Sequence, residues 1–163
     1  MNANSKDRKT FQLSDNDQLL GELMYDTPFY LKAEIKMPNT ETYKLEPVGF
    51  FGTNVAVTKD GNKIASLFMS WNGKIMIIFQ DEREYALKLS GLFQNQMILE
   101  NKYQEKVFQL EPKFNWRDFY RTYDIDYDIT NANEPKDNLL LLLGLYAANY
   151  FIATISGANS GLL

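Results

Sequence analysis

Three aspartates alternate with tyrosine and isoleucine between Tyr123 and Ile129: Asp124, Asp126 and Asp128. Carboxylates two residues apart open the calcium loop of an EF-hand, where hard oxygen ligands surround the cation. That loop also needs Gly at its sixth position and Glu at its twelfth. Counted from Asp124, those positions hold Ile129 and Pro135. The alternation describes a strand, on which the three carboxylates line one solvated face and discourage edge pairing. The solvated face is the favoured reading, and a weak cation site formed by the three aspartates is the alternative.

A second set is basic. Lys32 and Lys36 fall on one face of the alternating stretch FYLKAEIKM, and Arg117 and Arg121 follow Trp116. Interleaved with Tyr30, Phe119 and Tyr120, these four cations are the candidate site for an anionic ligand. The competing reading is a surface face on which long basic side chains cover aromatic rings. Glu82 and Glu84 in QDEREY read as a hairpin tip. KDGNK reads as a turn, because it lacks the glycine spacing and the following helix of a phosphate loop.

Other chemistry is excluded by composition. The 163 residues contain no His and no Cys. Ser-His-Asp and Cys-His arrangements, thiolate or imidazole metal sites and disulfides therefore have no residues to form them. Carboxylate chemistry stays open to an enzyme, but without His or Cys a non-enzymatic role is expected, with no cofactor implied. The net charge is −4 and Lys and Arg are scattered along the chain. No basic stripe faces a nucleic acid. The first residues, MNANSKDRKTFQ, lack the apolar core of a secretory signal, and cytoplasmic residence is the default expectation.

The elements that must position these residues are mostly strands. Residues 1–10 are polar and read as a flexible arm, with the domain body spanning 11–157 and a tail at 158–163. Phe29, Leu31, Ala33, Ile35 and Met37 lie on one face, against Lys32, Glu34 and Lys36 on the other. Tyr43 and Leu45 repeat the pattern, as do Tyr123, Ile125 and Tyr127. Asp60-Gly61 and Asn72-Gly73 supply the positive φ that tight hairpins need. They divide a meander predicted at 54–58, 63–71, 74–80, 84–89, 92–99 and 105–110. Eleven or twelve short strands at this spacing describe a sandwich or barrel.

The period then changes. Leu139–Ile155 carries no charge and is apolar on all sides, with Asp137 or Asn138 as the N-cap and Gly157 as the stop, giving a helix over about 138–156. Such a segment is either a membrane anchor or a protein interior. At about 1.5 Å per residue its 17 residues reach only about 25 Å, against roughly 30 Å of bilayer core. The flanking charges before it are mainly acidic, whereas an anchor carries Lys or Arg on its cytoplasmic side. Asn149 would also need a partner in lipid. A barrel of about twelve strands, in contrast, leaves a lumen close to one helix diameter. The interior is favoured, and the membrane-anchored chain remains the alternative.

This arrangement resembles the tubby-like C-terminal superfamily, which includes tubby domains, LURP-one-related proteins and phospholipid scramblases. The resemblance runs from about Phe11 to Ile155. It rests on VAVTKDGNKIASLF, EKVFQLEPKFNWRDFYRTYDIDYDI and NLLLLLGLYAANYFIATI. It implies an all-β fold in which a twelve-stranded antiparallel barrel encloses the last helix. It also implies a binding or scaffold module whose partner is a protein or a phospholipid head group, with peripheral membrane contact. No stretch matches the basic lipid site of tubby domains. Scramblases carry an acidic calcium segment before their helix, with which Asp124, Asp126 and Asp128 compare.

Overall fold

The computed structural model describes residues 1–27, 31–49, 54–90, 96–115, 120–127 and 136–155. Among these, twelve strands run as an antiparallel meander that closes on itself, and one helix follows. The strands are β1 (Asn2–Ser5), β2 (Thr10–Asp15), β3 (Gln18–Tyr25), β4 (Ala33–Lys36), β5 (Thr42–Val48) and β6 (Asn54–Lys59). They continue as β7 (Asn62–Met69), β8 (Ile75–Phe79), β9 (Glu84–Ser90), β10 (Gln96–Asn101), β11 (Lys106–Asn115) and β12 (Tyr120–Tyr127), followed by α1 (Asn138–Ile155). The all-β barrel with a C-terminal helix is as expected.

One expectation is corrected. Residues 1–10 are not a loose arm throughout, because Asn2–Ser5 pairs with β12 on one side and β2 on the other. This short strand closes the barrel. Its single apolar anchor is Ala3, wholly buried between Leu13 and Tyr123. One small inward residue among polar ones leaves no period-2 signal, and the strand is held by its two backbone ladders.

Hairpin chemistry sets the register. Asp60 and Gly61 both take positive φ, 51° and 79°, as a two-residue turn requires. At Asn72-Gly73 the geometry differs from that expectation. Only Gly73 is left-handed, and its N–H donates to Ser70 O at 3.0 Å, which makes a longer turn. Thr40, Glu82 and Gln104 occupy the equivalent place in three further hairpins, at φ 71°, 67° and 64°. These are non-glycine residues in a conformation that normally favours glycine.

The helix lies inside. Leu140–Leu143 and Leu145–Asn149 are buried around the whole circumference of α1. Contacts reach β3, β8 and β9, and the Phe108 and Tyr123 side chains meet the helix from β11 and β12. Asp137 is the N-cap, accepting from Leu140 N at 3.1 Å while Arg83 Nη1 donates to its other oxygen at 3.0 Å. Two glycines permit the closeness of the packing. A Cβ on Gly144 would sit 2.5 Å from Phe108 Cζ, and one on Gly21 would sit 2.6 Å from Leu142 Cδ1. Among the described residues, no helix is long and apolar enough to cross a membrane.

Candidate binding surfaces

Among the described residues, the lumen holds a polar constellation around Asn149 whose groups are engaged with each other. Asn149 is fully buried, yet Tyr123 donates its hydroxyl to Asn149 Oδ1 at 2.6 Å, and Asn149 Nδ2 donates to the Tyr25 hydroxyl at 3.1 Å. Tyr146 donates to Leu31 O at 2.7 Å, and its ring stacks on Tyr25 with centroids 5.8 Å apart. Burial holds the Tyr146 hydroxyl well above the ordinary phenol range, so it is a fixed neutral donor. The arrangement anchors a helix; the amide that would have been costly in lipid has partners on both sides.

The aspartates of β12 face outward, as the alternation predicts. Tyr123 and Ile125 are buried, while Asp124 and Asp126 are exposed. Each is paired across the ladder with a lysine of β11, Asp124 with Lys113 and Asp126 with Lys106 at 3.4 Å. The Asp124 hydrogen bond raises the pKa of Lys113. A shallow cleft of about 300 Å³ runs along this face beside Gln109 and Glu111. Asp128 lies outside the described residues. Among those described, no group of three His, Cys, Asp or Glu side chains could hold a metal ion.

The basic candidates are not all brought together. In the meander, the connections after odd-numbered strands lie at one end of the barrel, where α1 finishes, and those after even-numbered strands lie at the other. Lys32 ends the β3–β4 connection and is exposed, and its carbonyl accepts from Asp26 N at 3.0 Å. Arg121 opens β12 at the same end. It shares the inward register of Tyr123, is half-buried, and among the described residues its Nη1 is the one buried side-chain N or O atom with no hydrogen-bond partner. Lys36 closes β4 at the opposite end, beside Glu34 at 3.5 Å. Arg117 lies outside the described residues.

Two further depressions lie on the outside. One of about 260 Å³ crosses β8–β10, floored by Met76 and Ala86 and flanked by Lys74 and Glu100. Glu100 is nearly buried there and pairs with Lys88. A second, of about 180 Å³, lies between the β8–β9 and β10–β11 turns and includes Glu82, Glu84 and Tyr103. Glu82 occupies a turn position, as predicted. Elsewhere hydrogen bonds from the Lys9 backbone, Lys136 and Lys59 hold Asp7, Asp15 and Glu41 below the ordinary carboxylate range. Such groups are fixed anions and poor proton donors.

Sequence reasoning missed the lysines of β11, whose partners depend on register, and the fully exposed Trp71 at the β7–β8 tip. Compared with protein-family models, curated proteins and solved structures, the chain finds no match in any of the three.

Proposed function

We propose that this chain is a non-enzymatic binding or scaffold module of the tubby-like and LURP-one type, presenting a surface to a protein or a phospholipid head group. The observation that carries the reading is the occupied lumen. Larger barrels of this kind enclose a cavity or channel for a small molecule, but here the axis is taken by α1, packed on all sides. Recognition is left to the outer face and the two ends. The reading takes the chain as cytoplasmic, with peripheral membrane contact where the partner is lipid.

The competing reading places Leu139–Ile155 in a bilayer. Amide hydrogen exchange followed by mass spectrometry separates the two. Helix amides that exchange as slowly in buffer as those of β6–β8 support the module. Helix amides that exchange at once in buffer and become protected only in detergent defeat it.

A further inference from the structure

Among the described residues, the two most exposed aromatic side chains border one groove. Trp71 is 97% exposed and Tyr103 71%, against 41–43% for Leu19, Val48 and Phe114. Trp71 stands between Ser70 and Asn72, and Tyr103 between Lys102 and Gln104, and all four of these neighbours line the depression of about 260 Å³ on β8–β10. Tyr103 itself lines the adjoining depression of about 180 Å³, which shares Glu84 and Lys102 with the first. The two depressions make one groove on the outer wall of the barrel. Neither ring is needed by its own turn. Ser70 N donates to Lys74 O at 2.8 Å to close the first. The second is held by Asn101, only 6% exposed, whose Oδ1 accepts from Tyr103 N at 2.9 Å and Glu105 N at 3.0 Å. Folding has no use for an indole and a phenol in water on fixed turns, whereas a binding contact does.

Between the two rings, Met76 and Ala86 form an apolar floor. Around it stand the ammonium groups of Lys74 and Lys102, the Glu84 carboxylate and the Gln104 amide, a set that both donates and accepts hydrogen bonds. Lys74, Lys102 and Glu84 make no ion pair among the described residues, while Glu100 is already held by Lys88. The ladders give the length of the groove. Carried on by one residue, β10 places Lys102 level with Glu84, which pairs with Ile78. Lys102 is thus four residues along and two strands across from Lys74, a diagonal of about 16 Å at about 3.3 Å per residue and about 4.8 Å per strand.

We propose that this groove binds a short neutral oligosaccharide, with one sugar ring lying on Trp71 and another on Tyr103. A sugar presents an apolar face of C–H groups, which meets the electron-rich face of an aromatic ring. Its edge carries hydroxyls, each both donor and acceptor, which suit a mixed lining of ammonium, carboxylate and amide. Other ligand classes fit less well. A polyanion needs cations without carboxylates between them, and Glu84 stands among the lysines. An extended peptide adds to an open sheet edge, and this barrel is closed. A compact apolar ligand needs a pocket that buries most of its surface, and this groove is shallow. Strand faces flanked by loops hold oligosaccharides in other small barrels. The groove lies on the wall of the barrel, so the proposal goes beyond the protein or lipid partner of the module and does not rest on it.

The test is an NMR titration of the nitrogen-labelled full chain with maltotriose, cellotriose, mannotriose and triacetylchitotriose, each taken to about 10 mM. At least one of them is expected to shift the Trp71 indole N–H and the amides of Ser70–Lys74, Glu84–Ala86 and Glu100–Gln104, with a Kd of about 1 mM or below. Trp71→Ala and Tyr103→Ala should each weaken that binding about tenfold and leave thermal melts unchanged, since both rings are exposed. Leu19→Ala, on β3, should leave binding as it is. Raising salt from about 0.1 M to about 1 M should also change nothing, because the ligand carries no charge to screen. Five results would each overturn the proposal: no shift with any of the sugars, shifts away from the groove, binding lost at high salt, indifference to both aromatic substitutions, or an equal response to acetyl-triglycine amide, an uncharged peptide. None of them bears on whether α1 fills the lumen, which helix amide exchange reads separately.

Discussion

Replacing Gly144 with alanine tests the packing of the helix in the barrel through the sign of one free energy. On an exposed helix, or one in lipid, the change removes the glycine penalty and should stabilise by about 1 kcal/mol. In the barrel the new Cβ meets the Phe108 ring at 2.5 Å and 2.9 Å. Phe108 is wholly buried and stacks on Tyr127 with centroids 6.5 Å apart, so the ring has little room to yield. Overpacking of this kind costs about 1–3 kcal/mol. After the helix gain is subtracted, the expected change is a loss of up to about 2 kcal/mol, read from urea melts at unchanged slope. Phe108→Leu gives the Cβ room, and the double variant should show a favourable coupling of about 0.5–3 kcal/mol. A stabilising Gly144→Ala with no coupling to position 108 would refute the packing of α1 against β11.

Three other outcomes follow from the same geometry. Asn149→Leu removes the acceptor of the Tyr123 hydroxyl and the donor to Tyr25; a loss of about 1–3 kcal/mol in denaturant melts is expected, and a neutral result would mean that the amide carries no structural role. Thr40→Gly relieves a β-branched residue held at φ 71°; strain of about 1–2 kcal/mol, less the entropy cost of glycine, gives a gain of up to about 1 kcal/mol in thermal unfolding, and any destabilisation would contradict that turn. Asp7, Asp15 and Glu41 have folded pKa values below their ordinary 3.8, 3.8 and 4.5. Their contribution is therefore complete above those ordinary values and is lost as pH falls through the lowered ones, so melts should weaken below about pH 4 and Glu41→Gln should flatten part of that decline.

Face was legible in the sequence, but end and partner were not. The period-2 pattern put Tyr123 and Ile125 inside and Asp124 and Asp126 outside, and that is where they lie. It also predicted β6–β9 to within two residues, because Asp60-Gly61 and Asn72-Gly73 mark their turns. The same pattern grouped Lys32 with Lys36, which share a parity but stand at opposite ends of β4. Parity fixes a side of the sheet and carries no information about height. The pairing of Asp124 with Lys113 depends on how β11 registers on β12, a long-range result that no local window contains. Thr40 and Gln104 hid two turns because neither is the glycine a left-handed position normally advertises.

The buried amide bears on the β3–β4 connection as well. Hydrophobic burial is non-directional, so an apolar helix in an apolar lumen could turn or slide at little cost. Directional groups remove that freedom. Asn149 fixes depth and azimuth against Tyr25 and Tyr123, and Tyr146 ties the helix to Leu31, immediately before Lys32. Gly144 lies against Phe108, and Gly21 against Leu142, Lys36 O and Met37, so neither leaves room for a side chain. Tyr25 closes β3, so the hydrogen bonds that seat the helix lie next to the connection carrying Asp26 and Lys32. Loosening the helix at Asn149 should therefore disturb the position of Lys32 as well as stability. On that account, the hydrogen bonds that seat the helix also fix the chain on either side of the β3–β4 connection.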